Sequence, residues 1–352
     1  MNVQDNITLI AGPCSAESKE QLLNTASELK NLNIKYFRAG IWKPRTRPGE
    51  FEGVGSIGLK WLQEVKSTFG ISVATEVANT KHVEETLKAG IDMLWLGTRT
   101  TTNPFQIQEI AEALRGVTIP VMIKNPINPD LKLWLGAFER FRMCGVENLS
   151  AIHRGFSIYE RIKYRNNPNW QIAIDFKHEM PETALICDPS HIAGKRFYVQ
   201  EISQKALDLN FDGLFIESHF NPDKALTDSE QQLSPTELKS MIKNLIVRQR
   251  INADEDEINE YRNQIDLYDE NLIQILKKRM EISEKIGAFK AKHNLSILQS
   301  ARWEELLLNN LNKAQKENLS EQFALQIFKL IHQESINIQE DILSKNTNNE
   351  SH

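Results

Sequence analysis

Apolar and polar positions follow two different patterns along the chain, and the change falls near residue 250. Up to about residue 248, short apolar or β-branched runs are each followed by a segment of helical periodicity. Eight strands are predicted: ITLIAGP from Ile7, KYFRAGI from Lys35, ISVATEV from Ile71, MLWLG from Met93, VMIK from Val121, VENLSAI from Val146, ALICD from Ala184 and GLFIES from Gly213. Eight strands alternating with helices over ~240 residues favour an α/β closed parallel barrel, a (β/α)8 TIM barrel. A doubly wound sheet is disfavoured because no G-x-G-x-x-G follows the first strand.

Beyond residue 248 the sequence is almost entirely helix-forming. No strand-like run interrupts residues 258–292, which predicts one helix of ~50 Å at 1.5 Å per residue. Such a helix is too long to wrap around a small core, so we expect an all-α bundle that borrows a partner chain. Two further helices are predicted at about 299–316 and 319–343. The expected domains are therefore a barrel at 1–250, a helical domain at 251–344 and a polar, disordered tail at 345–352.

Composition narrows the class of protein. With 42 Lys and Arg against 47 Asp and Glu, the formal charge is −5, which argues against the broad basic field of a nucleic-acid-binding protein. No apolar run approaches the ~18 residues of a membrane span, and the first residues do not resemble a signal peptide. The three cysteines are an odd number at wide spacing, which favours a reducing compartment. We expect a soluble cytoplasmic protein that binds neither nucleic acid nor membranes.

Nearly every predicted strand ends in a polar residue, and the chemistry of a barrel lies at these carboxyl ends. The residues in question are Cys14 and Ser15, Arg38 with Lys43, Arg45 and Thr46, then Arg99, Lys124, His153 and Arg154, Asp188 and His191, Glu217, and Asp228 beyond the last strand. A single Arg or Lys at a strand end is usually a solvated loop charge. Six cations at one mouth, however, repel one another unless an anion lies among them. A pair of substrates carrying two phosphates and a carboxylate would satisfy them.

A second group at the same mouth offers metal-binding atoms. Cys14, His191, Glu217 and Asp228 would bring one thiolate, one imidazole and two carboxylates together, because the first strand adjoins the last in a closed barrel. This mixed donor set suits a divalent Mn, Fe, Co or Zn ion. A Cys14 that only packs in the core is the alternative.

The runs GPCSAES, FRAGIWKPRT, LGTRTT, HRG, DPSHIAG, FIESH and ALTD resemble those of 3-deoxy-D-arabino-heptulosonate 7-phosphate (DAHP) synthase, over about residues 7–248. The resemblance implies a shikimate-pathway transferase with one metal ion held by the four residues above. It also implies that Arg38, Lys43, Arg99, Lys124 and Arg154 bind phosphoenolpyruvate, with Lys43 and Lys124 catalytic, and that Arg45 and Thr46 bind erythrose 4-phosphate.

One departure and one alternative accompany this resemblance. Arg47 and Pro48 follow KPRT where the family usually has a small residue, which bears on the contacts to the sugar phosphate. The alternative activity is that of the synthase making 3-deoxy-octulosonate 8-phosphate. KPRT in place of a KANR-like motif argues against that activity.

Three cations stand out on the long predicted helix. At 100° per residue Arg279 and Lys290 lie about 20° apart, whereas Arg262 lies about 100° away and ~25 Å along the axis from Arg279. Arg262 therefore cannot reach a pocket shared by the other two. It could reach the equivalent pocket of an antiparallel partner chain.

Residues 258–340 resemble the all-helical class of chorismate mutase, an isomerase that forms an intertwined dimer. The resemblance rests on Arg262, Arg279, Lys290 in GAFK, Arg302, Ser335 and Gln339. It implies a homodimer, or a higher oligomer, that converts chorismate to prephenate. Arg279, Lys290 and Gln339 would be catalytic, and substrate would be bound by Arg262, Gln299, Arg302 and Ser335. Gln299 and Trp303 depart from the Asp and Glu that many relatives use for the substrate hydroxyl. Prephenate is the expected feedback inhibitor of the barrel, and a catalytically silent dimerisation or regulatory module is the alternative.

Overall fold

The computed structural model describes residues 7–45, 47, 49–160, 162–248 and 256–349. The chain divides into two compact units, residues 1–250 and 251–352. Thr46, the acidic residues at 254 and 255, and residues 350–352 lie outside the described residues.

The first unit is a closed eight-stranded parallel barrel, as the sequence predicts. Its strands are β1 (Thr8–Gly12), β2 (Tyr36–Arg38), β3 (Val73–Val77), β4 (Met93–Leu96), β5 (Val121–Lys124), β6 (Leu149–His153), β7 (Ala184–Cys187) and β8 (Gly213–Glu217). They follow one another in chain order around the barrel, and β8 returns to pair with β1 from Thr8↔Gly213 to Gly12↔Glu217. Strand β6 begins three residues later than predicted, at Leu149, and β2 is shorter than its apolar run.

Helices surround this barrel. They are α1 (Lys19–Leu29), α2 (Ile57–Phe69), α3 (Thr80–Lys88), α4 (Thr98–Thr101), α5 (Pro104–Ala113), α6 (Leu131–Met143), α7 (Trp170–Glu179), α8 (Pro189–Ala193), α9 (Arg196–Asp208) and α10 (Pro235–Asn244). Local sequence sets several of their starts. Ser234 and Glu237 form a capping box with Pro235 at the first helical position of α10, and the Asp188 side chain caps α8.

The apolar core of the first unit has two layers, one inside the barrel and one between the barrel and the surrounding helices. The innermost cluster takes one residue from most strands: Ile10, Ala74, Met93, Trp95, Met122, Ile152, Ile186 and Phe215. The alternate residues point outward and pack under the helices in the larger cluster. The interior is therefore a filled core, and ligands must bind at its ends.

Over its described residues, 256–349, the second unit consists of three helices, α11 (Asp256–Lys292), α12 (Ser300–Lys316) and α13 (Glu321–Asn349). Helix α11 passes close to α13 at Gly287, where a Cβ would lie 3.0 Å from Ile342 and 3.1 Å from Gln339. The polar composition of residues 345–352 predicts disorder, but α13 continues to Asn349. Extending an established helix by a residue costs far less than starting one, which explains why residues 345–349 are helical.

Candidate functional site

The functional side chains of the barrel lie two residues beyond its innermost apolar residues. Because side chains alternate along a strand, the next inward position on each strand is at its carboxyl end. These positions form a ring of Gly12, Arg38, Glu76, Gly97, Lys124, Arg154, Asp188 and Glu217. The alternation that fills the core thus also brings charges from six strands to one mouth.

Two glycines of the ring make room for its charged members. Gly12 has a φ of +149°, and a Cβ there would lie 2.2 Å from the carbonyl oxygen of Arg38. A Cβ at Gly97 would lie 2.2 Å from Oε1 of Glu76, whose Oε2 accepts a hydrogen bond from Trp95 Nε1 at 3.1 Å. Any larger residue would push Arg38 or Glu76 out of place.

A cavity of about 440 Å³ opens at this end of the barrel. Its cations are Lys43, Arg45, Arg47, Arg99, Lys124, Arg154 and Arg165. Five of the six cations expected to converge therefore line one cavity, and the sixth, Arg38, is a member of the ring. Arg45 also forms an ion pair with Glu50 at 3.1 Å.

Arg38 is held deep in the ring. It is 1% exposed, its Nη2 lies 3.1 Å from Oε1 of Glu217, and its guanidinium lies 4.2 Å from the ring centroid of Phe215. Among the described residues, Nε and Nη1 of Arg38 have no hydrogen-bond partner. Unfilled buried donors are costly, so a guanidinium in this state indicates room for an anionic ligand.

Lys124 and Arg154 are also buried cations whose charged forms a nearby negative charge would stabilise. Burial lowers the pKa of Lys124 although its Nζ donates to Oδ2 of Asp188 at 2.8 Å. Burial is also the main reason that the pKa of Arg154 falls to about 10, with Arg165 and Arg99 adding to the effect and Asp188 opposing it. A bound anion would stabilise the charged form of both side chains.

The four residues predicted to bind a metal come together at the same mouth. Their ligand atoms all lie within 4.8 Å of one another. Cys14 Sγ is 3.2 Å from Asp228 Oδ2, and His191 Nε2 is 3.7 Å from Glu217 Oε1 and 4.0 Å from Asp228 Oδ2. Cys14 lies in the loop after β1, His191 in α8, Glu217 at the end of β8 and Asp228 in the loop after β8.

The protonation states of this cluster fit a cation. Burial lowers the pKa of His191, which keeps the imidazole neutral and able to act as a ligand. Burial, together with Glu217 and Asp228, raises the pKa of Cys14 in the protein alone. A divalent ion would reverse that effect because a coordinating thiol loses its proton. Lys43 Nζ, 3.0 Å from Cys14 Sγ, would also stabilise the thiolate.

The second unit brings together five of its seven predicted site residues. Arg279 Nη1 donates to Ser335 Oγ at 2.5 Å, and Lys290 Nζ donates to Gln339 Oε1 at 3.0 Å. Lys290, Ser335 and Gln339 are each less than 9% exposed. Gln299 lines a cavity of about 320 Å³ with Lys290, and the close approach of the helices at Gly287 brings α11 and α13 together here.

Two predicted residues point elsewhere. Arg262 is exposed and donates to Asn259 one helical turn away, and Arg302 forms an exposed ion pair with Glu305 at 2.8 Å. Trp303 stacks on His332, with ring centroids 3.9 Å apart. The unit on its own therefore does not surround a ligand with all the cations that the sequence singles out.

Comparison with known proteins places both units. The model of the DAHP synthetase I family matches residues 2–250. The chain belongs to this family. A second family model, chorismate mutase type II, matches residues 261–340. The chain is thus a bifunctional shikimate-pathway enzyme with a DAHP synthase domain followed by a chorismate mutase domain.

Relatives agree with this membership. The phospho-2-dehydro-3-deoxyheptonate aldolase of Thermotoga maritima is 30% identical over 238 residues, 68% of each chain. The crystal structure of a DAHP synthase from Thermotoga maritima superimposes with a TM-score of 0.60 at 28% identity, covering 67% of each chain. A 2-dehydro-3-deoxyphosphooctonate aldolase of Campylobacter jejuni is 29% identical over 69% of this chain and 96% of its own. None of the described helices is long and apolar enough to cross a membrane.

Sequence reasoning missed two residues of the synthase site, Glu76 and Arg165, and gave no role to Asp188, which it placed at a strand end. Glu76 and Asp188 belong to the inward ring, and counting two residues on from Ala74 and Ile186 indicates both. Arg165, from the segment between β6 and α7, donates to Asp228 Oδ1 and to Gln231 Oε1, each at 2.8 Å. No periodic pattern marks a residue in an irregular segment, so Arg165 had no sequence signal.

Proposed function

We propose that the barrel condenses phosphoenolpyruvate with erythrose 4-phosphate, giving DAHP and phosphate, in a metal-dependent reaction. The observation that carries this proposal is the juxtaposition of the cationic cavity with the four clustered ligand atoms. The cavity supplies charge for two phosphorylated substrates, and the cluster supplies a place for a divalent ion beside them.

Phosphoenolpyruvate would lie deepest, against Arg38, Lys124 and Arg154. Arg38 offers two unfilled donors, and the pKa values of Lys124 and Arg154 are lowered by burial. Lys43 and Arg99 would complete this set. Because these cations come from different strands of one rigid barrel, they would fix the plane of the enol and offset charge that develops during the reaction.

Erythrose 4-phosphate would bind nearer the solvent, with its phosphate on Arg45 and Thr46. Its aldehyde would then face Cys14, His191, Glu217 and Asp228. A divalent Mn, Fe, Co or Zn ion held by these residues would supply a Lewis acid for the aldehyde oxygen. The protein's part is to aim C3 of the enol at the aldehyde carbon while its cations hold both phosphates.

For the helical unit we propose rearrangement of chorismate to prephenate. This reaction needs no nucleophile and no proton donor. Arg279 would hold a substrate carboxylate beside Ser335, and Lys290 and Gln339 would donate to the ether oxygen as its bond breaks. Gln299 and Arg302 complete the proposed contacts from α12 and the segment before it.

The mutase site would be completed in a homodimer by Arg262 of the partner chain. Helix α11 carries an apolar seam whose positions alternate between spacings of three and four residues, and Arg279 occupies the one polar position in it. The seam consists of Tyr261, Ile265, Tyr268, Leu272, Ile275, Ile282, Ile286 and Phe289, each between 44% and 70% exposed. This is the repeat of helices that pack on a partner helix, and such an apolar surface is rare on a monomer.

One assay tests both activities. Purified full-length protein is offered phosphoenolpyruvate with erythrose 4-phosphate, and separately chorismate, before and after removal of metal by a chelator. We expect chelation to abolish only the condensation, and added Mn²⁺ to restore it. Arabinose 5-phosphate serves as the matched competitor substrate, because the Campylobacter relatives are phosphooctonate aldolases. Preferred use of arabinose 5-phosphate would refute the proposed substrate, and a chorismate rate equal to the uncatalysed one would mean a silent module.

We further propose that prephenate, bound at Arg279 and Lys290, inhibits the synthase. Linkage then requires barrel ligands to change prephenate affinity by the same factor, typically about 5- to 150-fold. The measurement is the synthase rate against prephenate concentration for the wild type and Arg279→Ala. Equal inhibition of both proteins, or none of either, would show that the domains are joined for another reason. The proposed location is the cytoplasm, whose reducing conditions suit three free cysteines.

A further inference from the structure

Asp188 occupies a central place in the inward ring and has no role in the reaction as described so far. Its side chain is fully buried. Oδ2 of Asp188 lies 2.8 Å from Lys124 Nζ and 2.8 Å from His191 Nδ1. Oδ1 is the hydrogen-bond partner of His191 Nδ1 at 3.0 Å and also accepts the backbone N–H of His191 at 3.1 Å, and the Asp188 N–H donates to the carbonyl oxygen of His153 at 2.8 Å. One carboxylate thus contacts a side chain of the cationic cavity and a side chain of the metal cluster.

On the metal side, Asp188 determines how His191 faces the cluster. A proton on Nδ1 of His191 is donated to the carboxylate, so Nε2 is left with its lone pair. That atom is the one directed at Glu217 Oε1 and Asp228 Oδ2. A carboxylate behind a ligating imidazole fixes the tautomer and the ring orientation and makes the imidazole a stronger ligand.

On the substrate side, the same carboxylate balances the charge of Lys124 through Oδ2. The lysine is buried, lines the cavity, and Asp188 is the acidic group with which it forms an ion pair. Lys124 at Oδ2 and the imidazole at Oδ1 therefore share the negative charge of one carboxylate. An anion that takes over the charge of Lys124 leaves more of the carboxylate's negative charge to act on His191.

We propose that Asp188 is a positioning residue that couples metal binding at His191 to anion binding at Lys124. This inference rests on the proposed metal and phosphoenolpyruvate sites. It predicts that either ligand raises the affinity for the other, and that both effects pass largely through one carboxylate that neither ligand touches.

The wild-type protein provides the first test. Metal-free full-length protein is titrated with Co²⁺, and binding is followed by the thiolate-to-cobalt absorption band that ligation by Cys14 would produce. We expect phosphoenolpyruvate to tighten Co²⁺ binding by a factor in the typical range of about 5- to 150-fold. Calorimetry should then show Co²⁺ tightening phosphoenolpyruvate binding by the same factor. An unchanged Co²⁺ affinity in the presence of saturating phosphoenolpyruvate would overturn the proposal.

The second test removes the negative charge of the coupling group. Asp188→Asn should weaken Co²⁺ binding about 10- to 100-fold even without phosphoenolpyruvate, the usual effect of losing such a partner. It should also shrink the effect of phosphoenolpyruvate on Co²⁺ affinity. Asp212→Asn is the matched control, since Asp212 contacts Lys177 at 3.2 Å and the backbone N–H of Leu185 at 2.9 Å, at the opposite end of β7. A wild-type Co²⁺ titration for Asp188→Asn would refute the coupling.

A double-mutant cycle excludes a merely structural role. Lys124→Met should raise Co²⁺ affinity in the wild-type background, because the full negative charge of Asp188 then acts on His191, and should have little effect in the Asp188→Asn background. If Asp188→Asn does not fold, the wild-type linkage and Lys124→Met still decide the question, and no effect of Lys124→Met would refute the proposal. A wrong metal assignment would give a different result from a wrong coupling. The wild type would then show no thiolate-to-cobalt band, or Cys14→Ala would retain the band.

Discussion

The two active regions of this chain differ in how their cations are balanced. In the barrel, Arg38 and Lys124 form ion pairs with Glu217 and Asp188, and all four side chains are buried. In the helical unit, Arg279 and Lys290 contact neutral groups on α13, and burial lowers the pKa of both. The first region holds its charges in place before a ligand arrives, whereas the second leaves them for the ligand to balance.

Architecture explains the difference. Eight strands of a closed sheet end at one mouth, so a single unit can surround a substrate on every side. Three helices can line only part of a pocket, and α11 keeps Arg262 and its apolar seam exposed. A barrel site can therefore be complete within one chain, whereas the helical unit leaves room for the partner chain proposed above.

The largest expected effect is a clean separation of the two activities. Cys14→Ala should abolish DAHP formation and leave chorismate turnover nearly unchanged. Lys290→Ala should do the reverse and lower the mutase rate about 100- to 1,000-fold, the usual loss when a donor to a developing negative charge is removed. Both rates are measured on each purified variant. Full synthase activity in Cys14→Ala would rule out the metal assignment.

The barrel fold and most of its site were predictable from local pattern, for a physical reason. The predicted strands that carry Arg38 and Glu217 are longer than the observed ones, yet both residues are placed at the mouth, as is Lys124. The reason is that the residues that face inward depend on alternation along the strand and not on where the strand begins. The predictions that were wrong or missing concern segments without a periodic pattern of apolar residues. Val146 starts an apolar run yet precedes β6, since its N–H donates to the carbonyl oxygen of Phe141 at 3.0 Å and not to a neighbouring strand, and Arg165 lies in an irregular segment. Only the three-dimensional path of that segment brings Arg165 to Asp228.

A smaller expected effect is that the stability of the barrel depends on pH through His153, whereas the stability of the helical unit does not. His153 is fully buried among Trp134, Phe156 and Trp170, and burial lowers its pKa to about 4. Protonation thus favours the unfolded barrel, so the stabilisation from neutral His153 is complete above about pH 6.5 and is lost as the pH falls toward 4. Between pH 7 and pH 5 the cost is about 2 kcal/mol.

Denaturant unfolding followed by tryptophan fluorescence measures this cost. His153→Phe should flatten the pH dependence of barrel unfolding between pH 7 and pH 5. The transition of the helical unit, followed by circular dichroism, should keep its wild-type pH dependence in the same variant. A barrel transition with the same pH slope in both proteins would contradict the role assigned to His153.

The most modest effect tests whether the mutase site is shared between chains. Arg262→Ala and Lys290→Ala proteins, each inactive as a mutase, are mixed and allowed to exchange subunits. Half of the dimers would then be mixed, each with one intact site of two, so about a quarter of the wild-type rate should return. Light scattering and mass spectrometry verify exchange. No recovery after proven exchange would mean that each site is built within one chain.

The pairing of β1 with β8, which closes the barrel, affects how the enzyme folds during synthesis. Thr8 and Gly213 pair across about 200 residues of intervening chain, so the first strand of the barrel to emerge from the ribosome waits longest for its partner. Until β8 is synthesised, β1 presents an open sheet edge that can pair with the wrong strand. Cys14 and Glu217 flank this last closure. A metal ion bound by both residues would hold the ends of β1 and β8 together and so favour barrel closure. A cell starved of that metal would then lose correctly closed barrels as well as catalytic turnover.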